Sequence, residues 1–84
     1  MENNKKMVNF LNYLLDRDEY DKRSNYIEIE RYLNYSLDRN IFTPQETKFA
    51  NYILNLSKFR KGKIINFNNL YEEFMAKNKN DLER

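Results

Sequence analysis

The 84-residue chain has no cysteine and no histidine, one glycine, one proline and no tryptophan. Without cysteine there is no disulfide framework, thiolate nucleophile or cysteine-ligated zinc site. Without histidine the commonest metal ligand is missing, and so is the one side chain that titrates near neutrality unaided. General acid–base work would fall to shifted carboxylates or lysines. A single glycine cannot build a Gly-rich phosphate loop, and Ser24, Ser36, Ser57, Thr43 and Thr47 lack a histidine partner. The expectation is a protein that is not an enzyme, with no cofactor and no metal. Apolar runs never exceed three residues, too short for a membrane span or a signal-peptide core, which points to the cytoplasm.

Mean hydropathy is low at -0.99, and 33% of residues are charged. Yet 22 of 84 residues are Leu, Ile, Val or Phe, above the roughly one-fifth below which chains stay unfolded. One domain covering 1–84 is expected, with 1–6 and 78–84 as frayed ends. The net charge of +2 divides unevenly. Residues 1–42 hold seven Lys/Arg against eight Asp/Glu, and residues 43–84 hold eight against five. That asymmetry permits an anionic partner without demanding one. Fourteen asparagines, with many Lys, Ile and Tyr, resemble the composition of small proteins from low-GC bacteria, their plasmids and phages.

Local chemistry predicts four helices. Met7, Phe10, Leu11, Leu14 and Leu15 recur at helical spacing, predicting a first helix from Asn4 to Arg17, with Val8 and Tyr13 widening its stripe. Ser24 is the expected N-cap of a second helix, Asn25 to Arg39, whose face carries Tyr26, Ile29, Leu33 and Leu37 and which closes at Asn40 and Ile41. Thr43, Pro44 and Glu46 spell a capping box with proline at the first helical position, so a third helix starts there and is expected to reach Ser57. Ile41 or Phe42 is placed to staple its first turn. Gly62 acts as a stop signal. A short extended piece is expected near 63–67, followed by a fourth helix capped by Asn66 or Asn68 and faced with Phe67, Leu70, Tyr71, Phe74 and Met75. Four striped helices on short links predict an all-α four-helix bundle.

The segments from Phe42 to Leu54 and from Ile64 to Phe74 resemble the first two helices of response-regulator winged-helix DNA-binding domains, through Thr43, Pro44 and Glu46 ahead of an apolar helix. In that family the DNA contacts come from a later recognition helix and a β-wing. The resemblance therefore carries no DNA-contacting residue over to this chain.

Three polar features offer function. The acidic run Asp16, Asp18, Glu19, Asp21 starts like an EF-hand loop, but the sixth position holds Asp21 instead of glycine and the twelfth Ile27 instead of glutamate. It reads as a solvated turn. Lys58, Arg60, Lys61 and Lys63 place four cations around Gly62, suited to phosphates and equally to the negative end of a helix. Seven tyrosines exceed what a small core must bury, and rim tyrosines suit a protein interface. The first expectation is a protein-binding regulator or inhibitor, phage- or plasmid-like, that occludes a site on a larger protein or nucleoprotein complex. Its candidate contacts are Tyr32, Tyr35, Tyr52, Arg60 and Lys61. The alternative is a small nucleic-acid-binding transcriptional regulator that uses Lys58, Arg60, Lys61 and Lys63. A homodimer would bury further apolar surface.

Overall fold

The computed structural model describes residues 4–64 and 66–82. Five helices follow one another: α1 (Asn4–Leu15), α2 (Lys22–Asp38), α3 (Pro44–Leu54), a short α4 (Ser57–Arg60) and α5 (Phe67–Leu82). The fold is all-α, with no strand among the described residues. α1 packs against α2, α3 and α5, and α3 also meets α2, α4 and α5. The residues expected to fray are helical where described: 4–6 belong to α1 and 78–82 to α5.

Each boundary has a local cause. α1 stops at Leu15, and the Leu15 carbonyl is taken up by the Lys22 ammonium at 3.1 Å and the Asn25 side-chain amide at 2.8 Å. The cap of α2 is Asp21 rather than Ser24. The Asp21 carboxylate accepts from the Ser24 N–H at 3.1 Å, so the helix begins three residues earlier than expected, with Asn25 inside it and buried. Asp18 in turn accepts from the N–H groups of Tyr20 and Asp21. Asp18 and Asp21 of the acidic run are thus occupied in turning the chain and starting a helix. α2 closes as a Schellman turn: Asn40 adopts φ 56°, Ile41 N–H donates to Ser36 O, and Asn40 N–H donates to Leu37 O.

The capping box of α3 is complete, with Glu46 N–H on the Thr43 hydroxyl and Thr43 N–H on the Glu46 carboxylate. Thr43→Ala is expected to lower unfolding stability by about 1 kcal/mol, measurable by urea denaturation. The Phe42 ring meets Tyr32 of α2 edge-on at 5.7 Å.

α3 ends at Leu54, short of the expected Ser57. Relative to the buried stripe of Phe49, Ala50 and Ile53, a straight continuation at 100° per residue would swing Phe59 out toward solvent. A break at Asn55 and an extended Leu56 turn Phe59 inward, to 6% exposure against Tyr26. Gly62, at φ 66°, then closes α4, with Lys63 N–H on Lys58 O. The segment expected to be extended is irregular at Lys63 and Ile64; Ile65 lies outside the described residues. Asn66 caps α5 by accepting from Asn68 N–H at 2.7 Å, and Asn12 of α1 accepts from Phe67 N–H at 2.8 Å.

The core joins Met7, Val8, Leu11, Leu14 and Leu15 of α1 to Ile29, Leu33, Phe49, Ile53, Phe67, Leu70 and Phe74. Among the described residues every buried side-chain N or O atom has a hydrogen-bond partner. No helix among them is long and apolar enough to cross a membrane.

Candidate binding surfaces

The five protein-contact candidates fall on three separate places. Tyr32 and Tyr35 lie on the flank of α2 that meets α1. Here a file of rings crosses the surface. Tyr13 stacks on Phe10 at 6.1 Å, Phe10 meets Tyr32 edge-on at 4.8 Å, and Tyr32 meets Phe42. The sequence pattern put Phe10 in the core and Tyr13 in a widened stripe. In the structure Val8, Leu11 and Leu15 fill that space, leaving Phe10 41% and Tyr13 59% exposed. Tyr35 is also exposed, one turn beyond Tyr32, with the Arg39 guanidinium 5.0 Å from its ring centre. Burial, and then the Glu46 carboxylate, push the Tyr32 hydroxyl above its ordinary pKa of 10.0, so it stays a neutral hydrogen-bonding group.

Tyr52 stands elsewhere, half-buried on α3. Its ring lies 5.4 Å from Phe74 of α5, with the Lys77 ammonium 5.5 Å away. It serves the α3–α5 contact first.

Arg60 and Lys61 occupy the third place, and the structure divides the four cations around Gly62. Lys58 and Lys63 border a shallow depression with Asn66, Asn69 and Glu73, where a carboxylate offsets their charge. Arg60 and Lys61 instead line a groove with Lys22 and Arg23 from the start of α2, over Tyr26 and Phe59. Lys22 and Arg23 are not among the candidates the sequence offered. Their signal was present in the charge, but not their neighbours across the fold.

Tyr26 fixes this groove. Its hydroxyl donates to Ile64 O and accepts from Ile64 N–H, both at 2.8 Å, giving that irregular segment the pairing a neighbouring strand would supply. Burial raises the hydroxyl's pKa above 10.0, and the bond with Ile64 opposes the rise only in part. A Cβ at Gly62 would lie 3.6 Å from the Tyr26 ring, so the turn sits directly against it.

Arg17, just beyond α1, pairs with Glu28 of α2 at 2.8 Å, both well exposed, an arrangement worth about 0–1 kcal/mol. No three Asp, Glu, His or Cys side chains among the described residues gather as a metal site would require. The chain matches no family model, no curated protein and no solved structure in comparison with known proteins.

Proposed function

We propose that this chain is a small, non-catalytic protein-binding module of the cytoplasm, a regulator or inhibitor that works by covering a site on a larger protein or nucleoprotein complex. The file of rings from Tyr13 through Phe10 and Tyr32 to Phe42 is the observation that supports it. Aromatic side chains give large contact area at low entropic cost, and interface energy concentrates in such groups. Tyr35 extends the same flank. The asparagine- and lysine-rich composition supports a phage- or plasmid-like source.

The test is crosslinking and mass spectrometry of the tagged protein from a low-GC bacterial host, repeated with Phe10→Ala/Tyr13→Ala. A specific partner is expected, with affinity weakened by about 2 kcal/mol, or about 30-fold, in the double variant. A partner held equally well by that variant would remove the strip from the interface.

A nucleic-acid-binding transcriptional regulator is the second reading, favoured by the meeting of Lys22 and Arg23 with Arg60 and Lys61. Four phosphate contacts would give a slope of log K against log salt near about −3.6 on duplex DNA. Binding insensitive to salt would dismiss it.

A further inference from the structure

The cationic groove continues into a second depression, and Arg23, Tyr26, Phe59 and Arg60 line both. Together they make one trough along α2, walled on the far side by the corner between α3 and α4. Charge is unevenly laid along it. Lys22, Arg23, Arg60 and Lys61 stand at the Gly62 end, where no carboxylate is among the lining residues described. Further along α2 come the Tyr26 ring, Ile27 at 45% exposure and Leu54, and beyond them Glu30 and Asn34.

A phosphodiester backbone carries charge at every step, so a strand lying in this trough would pass phosphates over Ile27 and on to Glu30. A peptide with an apolar side chain next to carboxylates matches the trough at both places. The walls are also held in advance. The double hydrogen bond of Tyr26 to Ile64 and the turn at Gly62 tie the far wall to α2, which lowers the ordering cost of binding.

We propose that the trough between α2 and α4 docks a peptide segment of a protein partner, one that sets a leucine-like side chain at Ile27 and Leu54 and two or more carboxylates among Lys22, Arg23, Arg60 and Lys61. The proposal shares the protein-binding premise of the function above. It uses the opposite flank of α2 from Tyr32, so either surface can fail without the other.

The experiment is selection of a displayed random peptide library on the intact protein, followed by fluorescence anisotropy with the synthetic consensus peptide. Recovered sequences are expected to place Asp or Glu beside Leu, Ile, Met or Phe. Affinity should fall about tenfold or more in Arg23→Glu/Arg60→Glu and, independently, in Ile27→Asp, while Phe10→Ala/Tyr13→Ala leaves it unchanged. Circular dichroism checks that each variant keeps its helices. Selection without acidic enrichment, or a peptide that ignores both groove variants, overturns the proposal. So does a short DNA duplex that binds tightly, loses affinity in Arg23→Glu/Arg60→Glu and is indifferent to Ile27→Asp, because the groove would then serve phosphates.

Discussion

Phe49→Ala is expected to cost about 3–5 kcal/mol of unfolding stability, the largest loss from any single truncation in this core. Phe49 is fully buried, and its ring sits 5.1 Å from Tyr71 and 5.0 Å from Phe74, which join α3 to α5, and 6.5 Å from Tyr52 on its own helix. Those neighbours are themselves packed on the core and cannot collapse fully into the space left behind. A domain of this size has about 4–13 kcal/mol to lose, at roughly 0.05–0.15 kcal/mol per residue. The variant should therefore melt at least about 12 °C lower. Phe49→Leu, which keeps most of the volume, should cost appreciably less. Loss of under about 1 kcal/mol in Phe49→Ala would mean that the three rings do not depend on it.

Tyr26→Phe is expected to destabilise by about 1–3 kcal/mol although the ring stays in place, because the N–H and the carbonyl of buried Ile64 both lose their partner. This prediction has a pH signature. The folded-state pKa of Tyr26 lies above 10.0, so its hydroxyl favours folding fully below pH 10, and the benefit is lost as pH rises through the folded-state value. Tyr32 shifts in the same direction and adds to the loss. Urea denaturation at neutral pH and at steps above pH 10 should show the wild type losing stability faster than Tyr26→Phe. Parallel curves would disprove a neutral Tyr26 hydroxyl bridging Ile64.

What could be read from the sequence was the part that depends on near neighbours. Thr43, Pro44 and Glu46 lie within one turn, and they start α3 where expected. Asn40 and Ile41 close α2 for the same reason, since a left-handed asparagine and two backbone bonds settle the matter within six residues. Errors arose where two local signals compete or where distant residues decide. Ser24 is a good cap in isolation, but Asp21 reaches its N–H first, and Asn25 is then drawn inside to hold the Leu15 and Asp18 carbonyls. The break between α3 and α4 has no proline or glycine to announce it. It follows from the position of Phe59 against Tyr26, a contact between residues 33 apart in the chain.

The candidate surfaces divide in the same way. Tyr32, Tyr35, Arg60 and Lys61 were legible as exposed chemistry, but not their separation onto two flanks of α2. Phe10 was hidden by its own periodicity, because a stripe already filled by Val8, Leu11 and Leu15 has no room for it. Lys22 and Arg23 look like ordinary surface charge until the fold sets them beside α4.

The amide-to-backbone tie from Asn12 to Phe67 spans 55 positions and secures the start of α5 to α1. Among the described residues α5 pairs substantially with α1 and α3, and its Phe67, Leu70 and Phe74 close the core as a lid on the platform of the first three long helices. Its amide protons should exchange with solvent sooner than those of α2. An Asn12 substitution would then loosen the lid hinge while the platform beneath stays shut.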